Sequence, residues 1–342
     1  MTSRGKRQLN ESLEGYAYLL PSGIILIIFW YLPVIISFAM SFGNVTALMP
    51  LEEMKFVGLR QYEEALTTVQ FQQSFWNTMN YALYSVPLTL VVALAAAMLL
   101  NQPIKGRNFW RTIYFLPYIT TWVASSIVFT YLFHRDYGIG NWLLNLVRVD
   151  LLGMAPGRLE WLSEPRGIWE MLVYQPLLGT EKGIVPSLPW GVDNLLAGPS
   201  LSAFCIILTS VWRDAGYYMV IFLAGLQNID KSLYEAASID GATGWKRFRH
   251  ITVPMLSPVT FFLSIISVIN ALKVFVPQFM MTPTGGPNNT TTPVTMYLYQ
   301  AGFTGEWKLS YACAVAYILT IIILVLTIAQ NKLFAKRVEY GQ

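Results

Sequence analysis

PSLSAFCIILTSVWRDAGYYMVIFLAG, residues 199–225, is an apolar run long enough to cross a bilayer as a helix. It is followed by a polar segment, LQNIDKSLYEAASIDGATGWKRFRHITVPMLS (226–257), and a second apolar run, PVTFFLSIISVINALKVFVPQFMM (258–281). A helix needs about 20 mostly apolar residues to span the hydrocarbon core. Two spans joined by a short basic loop define a helical hairpin in a membrane. Working outward, four more segments meet the same criterion, at 16–42, 79–101, 109–133 and 310–331. The expected fold class is all-α, a polytopic membrane protein with six transmembrane helices.

Composition agrees. The 342 residues are 54% hydrophobic and 12% charged, with a mean hydropathy of +0.46. A soluble domain carries about 25% charged residues. The net charge of +4 is not gathered on one basic face, so no nucleic acid is expected as a partner. Cys205 and Cys313 sit in apolar runs and read as small hydrophobes. The two histidines, His134 and His250, stand in no HExxH pattern, and the chain has neither a CxxC pair nor a phosphate-binding GxxxxGK[ST] loop. The first apolar run is too long for the core of a signal peptide and is expected to be retained as a span.

Lysine and arginine set the orientation. With both termini inside, inner segments hold Arg4, Lys6, Arg7, Lys105, Arg107, Arg111, Lys231, Lys246, Arg247, Arg249, Lys332, Lys336 and Arg337, while the acidic residues concentrate outside. The expected arrangement is N-in, C-in, with 226–257 cytoplasmic between spans four and five. The outer segment 134–199 is long and holds Trp142, Trp161, Trp169 and Trp190. Such aromatic content suggests a small folded insert, since disordered segments are poor in aromatics.

The inner segment 226–257 reads as helix, turn, helix. Ser232 and Glu235 have capping-box spacing, Asp240-Gly241 signals a turn, and Pro254 is expected to stop the second helix. Two short helices beside the membrane would present a rigid knob to a soluble partner. The stretch resembles the EAA loop of ABC importer permeases. Glu235, Ala236, Ala237, Asp240, Gly241, Ala242, Phe248, Ile251 and Pro254 match its pattern in order. In that family the loop is the coupling helix that docks in a cleft of the ATPase subunit.

Further matches cover most of the chain. Thr284 to Thr290 (TGGPNNT) resembles a segment common in carbohydrate permeases of the maltose and glycerol-phosphate type. Tyr18 to Pro21 (YLLP) with Pro33 and Ser41-Phe42, Tyr137-Gly138 with Asn141, and Ala224 to Gln227 (AGLQ) fit the same group. The likeness lapses at about 149–198, where such permeases have a shorter connection. The resemblance implies a single permease domain over 1–342 in a bacterial inner membrane, working by alternating access. It implies as partners a second homologous permease, an ATPase dimer and an extracytoplasmic solute-binding protein. No cofactor is expected on this chain, with ATP and Mg held by the ATPase. It implies transport of a sugar, oligosaccharide or polyol, the alternative being a non-carbohydrate solute.

Polar groups at membrane depth usually face a bundle interior or a water-filled path. Ser210, Asp214 and Tyr217 share one helix face by spacing, and Asn270 and Lys273 are i, i+3 neighbours. These five are the candidate substrate-path residues. The other reading is structural: Asp214 pairs with Arg213 or Lys273, and Asn270 bonds a neighbouring helix. Trp110, Tyr114 and Trp122 read as membrane-interface or packing residues. A secondary transporter would show its own ion site and often an inverted repeat, and a membrane enzyme would need a catalytic constellation; the sequence displays neither.

Overall fold

The structure, a computed structural model, describes residues 3–46, 48–50, 53–146, 159–168, 198–304 and 307–334. Helix dominates, and among the described residues strand pairing is limited to the isolated bridges Gly43–Phe56 and Gly167–Ser200. In chain order the main helices are α1 (Ser3–Leu26), α2 (Leu32–Met40), α3 (Arg60–Thr67), α4 (Val69–Asn101), α5 (Arg107–Ile119), α6 (Trp122–Leu132), α7 (Ile139–Asn145), α8 (Leu201–Gln227), α9 (Lys231–Ile239), α10 (Gly244–Arg247), α11 (Val253–Met255), α12 (Ser257–Leu272), α13 (Val276–Met281), α14 (Val294–Tyr299) and α15 (Leu309–Phe334). Most of the expected outer insert, at 147–158 and 169–197, lies outside the described residues.

Among the described residues, four helical stretches are long and apolar enough to cross a membrane alone: Tyr18–Met40, Val69–Asn101, Leu201–Gln227 and Leu309–Leu333. The number rises to six if each of two bent pairs is one span. The expected third span is thus not one straight helix, because α5 and α6 meet at 96°. Its cause is local. Pro117 sits in the last turn of α5, and both Thr120 and Thr121 are extended, with ψ of 146° and 147°. Thr121 then caps α6 by accepting from the Ala124 N–H at 3.2 Å. The expected fifth span, 258–281, also divides. Lys273 closes α12, and Phe275 leaves helical geometry before α13 begins with Pro277 near its start. The 16 residues of α12 reach about 24 Å, short of the roughly 30 Å core.

The chain forms two compact units, 1–66 with 298–318, and 67–297 with 319–342. In the first unit, no residue in the apolar window of Tyr18–Met40 is buried, as expected of a helix clad in lipid. Val45 and Ser310 exchange hydrogen bonds: the Val45 N–H donates to Ser310 Oγ at 2.8 Å, and the Ser310 N–H donates to the Val45 carbonyl. The Tyr317 hydroxyl donates to the Val34 carbonyl at 2.7 Å.

In the second unit, α8 packs chiefly along α4, and also against α5. Ala93, Ala97, Met219, Phe222 and Leu263 form the centre of one core cluster. Small residues permit the close approach: a Cβ on Gly216 would run into the Tyr114 carbonyl. The TGGPNNT turn is held by α4. Gln73 donates to the Asn288 carbonyl at 2.6 Å, and Asn77 donates to the carbonyls of Asn289 and Thr292 at 2.7 and 3.1 Å. Gly285 and Gly286 adopt φ of 88° and 70°, a region open to glycine at no steric cost.

Candidate functional site

A cavity of about 360 Å³ opens within the second unit between α4, the α5–α6 elbow, α8 and the end of α12. All five candidate path residues, Ser210, Asp214, Tyr217, Asn270 and Lys273, line it. Their positions differ in kind. Ser210 is buried and its hydroxyl is engaged both ways, accepting from Tyr81 Oη at 2.8 Å and donating to the Ile206 carbonyl at 2.9 Å. The ring of Tyr217 stacks on Tyr118, with centroids 4.6 Å apart. Asn270 and Lys273 are exposed to the opening.

Asp214 pairs with Arg213, whose Nη1 donates to Oδ1 at 2.7 Å. Of the two partners open to it by sequence, the structure selects the adjacent arginine and not Lys273. The same guanidinium braces the elbow. Nη2 donates to the Tyr118 carbonyl at 3.3 Å, and Nε reaches the Thr120 carbonyl at 3.4 Å. These carbonyls, at the C-terminal end of α5, lack full intrahelical partners, and a cation there also suits the helix dipole. The guanidinium lies 4.1 Å over the Trp122 ring and 5.1 Å from the Tyr118 centroid, a cation–π arrangement.

The sequence reading overlooked Tyr81, Ser85, Thr89, Tyr118 and Ser267 in the lining, and placed Trp122 at the membrane interface or in packing. Tyr81, Ser85 and Thr89 had a signal, since i, i+4, i+8 spacing puts three hydroxyls on one face of an otherwise apolar helix. Tyr118 and Trp122 had none, because only the 96° elbow turns them toward α8.

The second candidate region is the knob at 231–255. Asp230, not Ser232, caps α9, accepting from the Ser232 N–H at 2.9 Å. The cap therefore lies two residues before the expected one, and with Leu233 at N3 it is a single cap and not a capping box. That hydrogen bond holds the Asp230 carboxyl below the usual carboxylate range. Gly241 makes the turn at φ 73°. Thr243 then caps α10. Pro254 does not stop the second helix. The chain winds through a π turn at Phe248–Thr252 and on into α11, and ends at Leu256. The wider turn accommodates a proline that has no N–H to donate. Glu235, Ala236, Asp240 and Gly241 are exposed, while Ala237 and Ala242 are half-buried. Tyr234 Oη lies 3.0 Å from Thr252 Oγ1, and Arg247 donates to Ser238 Oγ at 2.9 Å, so the two arms hold each other. Ile239 and Trp245 remain 88% and 68% exposed.

A family model for the binding-protein-dependent transport system inner membrane component matches residues 14–340. The chain belongs to this family. As a family member it is a transport component and a multi-pass membrane protein. It is 30% identical over 331 residues to the lactose transport system permease protein LacF of Rhizobium radiobacter, covering 96% of each chain. It is also 30% identical to the trehalose/maltose transport system permease protein MalF of Thermococcus litoralis, covering 91% of this chain and 90% of that one. In fold it resembles a chain of a bacterial ABC transporter involved in alginate import, with a TM-score of 0.70, 21% identity, and 98% and 99% coverage.

Proposed function

We propose that this family member is the permease subunit of an ATP-driven, binding-protein-dependent importer of a sugar, oligosaccharide or polyol in a bacterial inner membrane. The exposed knob at 231–255 carries the reading. Its two arms are capped and tied to each other by hydrogen bonds, while Glu235, Asp240 and the Gly241 turn are left open to a partner. Glu235, Ala236, Ala237, Asp240, Gly241 and Ala242 form the contact with an ATPase subunit, within a cytoplasmic loop at 226–257. The termini lie inside, and 134–199 forms an outer insert of one permease domain over 1–342. A second homologous permease completes the path, an outer solute-binding protein delivers the substrate, and ATP and Mg stay in the ATPase dimer. ATP binding moves the knob and shifts the permease between outward and inward access. Such a shift needs a partner that binds the two states unequally.

The carbohydrate class is supported by the lactose and trehalose/maltose relatives and by the cavity. Ser85, Thr89, Ser267 and Asn270 offer paired donors and acceptors suited to hydroxyls. The test is purification of the tagged chain with its natural partners, followed by uptake of labelled saccharides into proteoliposomes. Uptake should require ATP on the knob side and the binding protein on the other. Uptake that persists without the ATPase subunit overturns the reading. Cysteines placed at Glu63 and Glu164 should label from outside in sealed cells, and one at Lys246 should not.

A further inference from the structure

Charge does not balance in the cavity. Asp214 is matched by Arg213, and that guanidinium is engaged through each of its three nitrogens: Nη1 on Asp214, Nη2 and Nε on the carbonyls of Tyr118 and Thr120, with its face on Trp122. Arg213 keeps one N–H on each of Nη1 and Nη2, but its charge is already matched by Asp214 and its position is fixed by the elbow carbonyls. Lys273 is different. It lines the same cavity, is exposed to it, and has no ion-pair partner among the described residues. It is the C-cap of α12, where the helix dipole favours a cation.

An ammonium without a counter-ion at membrane depth is costly, and such groups commonly mark a substrate path. Low-dielectric walls also concentrate its field in the opening. A neutral ligand that displaced water from the cavity would leave Lys273 charged and poorly solvated. An anionic ligand would replace the lost water with a charge-assisted hydrogen bond. One turn back from Lys273, Asn270 is a neutral amide placed to meet hydroxyls beside that anion.

We propose that the cavity receives a saccharide bearing an anionic group, a carboxylate or a phosphate ester, with that group on Lys273 Nζ. This rests on the carbohydrate reading and narrows its substrate class. The Arg213–Asp214 pair serves as the wall that positions the elbow, and Lys273 sets the charge preference.

The test uses the assembled transporter in nanodiscs and three labelled probes: galacturonate, its uncharged methyl ester, and galactose 6-phosphate. Equilibrium retention is measured for the natural chain, Lys273→Gln and Lys273→Arg. The natural complex should hold at least one anion about tenfold more tightly than the ester, as one charge-assisted hydrogen bond provides. The anion that is held distinguishes carboxylate from phosphate. Lys273→Gln should reduce the preference to parity, and Lys273→Arg should keep most of it. Equal retention of ester and anions by the natural complex overturns the inference and leaves the carbohydrate reading standing. An undiminished preference in Lys273→Gln also overturns it. Retention of none of the three also overturns the inference, while the carbohydrate reading is decided separately by the uptake of labelled saccharides. A Lys273→Gln complex that dissociates while Lys273→Arg stays whole shows the lysine pairing with a neighbouring subunit's carboxylate, which again overturns the proposal.

Discussion

Asp214 and Glu235 sit on consecutive helices, α8 and α9, yet their surroundings are opposite. Around Asp214 the side chains satisfy one another: arginine on carboxylate, arginine on ring and carbonyl, tyrosine on serine. Around Glu235 the backbone is capped and turned correctly, while side chains such as Ile239 and Trp245 face outward. The first region is a set of mutual contacts between helices distant in sequence. The second is a local motif that needs only its own residues to form. Damage to the first should therefore appear as lost stability, and damage to the second as lost coupling in an intact chain.

The largest effect should come from Gly216→Leu. Its Cβ would meet the Tyr114 carbonyl of α5, a backbone atom that cannot turn aside. Overpacking of this kind costs about 3 kcal/mol, and the detergent-purified chain should lose its thermal transition or unfold well below the natural one. A Gly216→Leu chain of unchanged stability would mean that α5 and α8 are not packed this closely.

Asp214→Ala should come next. It removes the carboxylate and strands a half-buried guanidinium, at a cost of about 2 kcal/mol, partly relieved by water in the cavity. In a double-mutant cycle, Arg213 and Asp214 should couple, so that losing both harms less than the sum of the single losses. Asp214 and Lys273 should add independently. Coupling between 214 and 273 instead would place the lysine in the wall.

Gly241→Asp touches the second region. A non-glycine residue at φ 73° costs about 1–2 kcal/mol, confined to an exposed turn. Expression and melting should change little. Substrate-stimulated ATP hydrolysis by the complex should fall markedly, since the added charged side chain sits on the exposed turn that would meet the ATPase. Normal stimulation at normal expression would show that the turn does not serve coupling.

The smallest effect is a pH dependence at Asp230. Because the Ser232 N–H holds its folded pKa below the ordinary value, the cap's contribution is present above the usual carboxylate range. It is lost as pH falls through the folded pKa. Amide protection at Ser232 should decline below about pH 4 in the natural chain and stay level in Asp230→Asn. Identical acid profiles for the two would sever the cap from the titration.

Local patterns were the legible part of this protein. Runs of apolar residues mark helices through a simple length requirement, and residues 230–241 specify their own helix and turn through capping and glycine geometry. Even there the reading slipped where two neighbours offered the same chemistry: Asp230 took the cap expected of Ser232, and a π turn carried the helix past Pro254. The polar stripe of Ser210, Asp214 and Tyr217 was likewise visible as a helix face. What lay opposite that face was not. The burial of Ser210 under Tyr81 follows from the packing of α8 along α4, and the entry of Tyr118 and Trp122 into the cavity, where Arg213 braces them while holding Asp214, follows from the 96° elbow. Periodicity states which residues share a face, because that depends only on rise and turn along one helix. Only tertiary structure decides which face meets which, because that depends on how distant segments bend and pack.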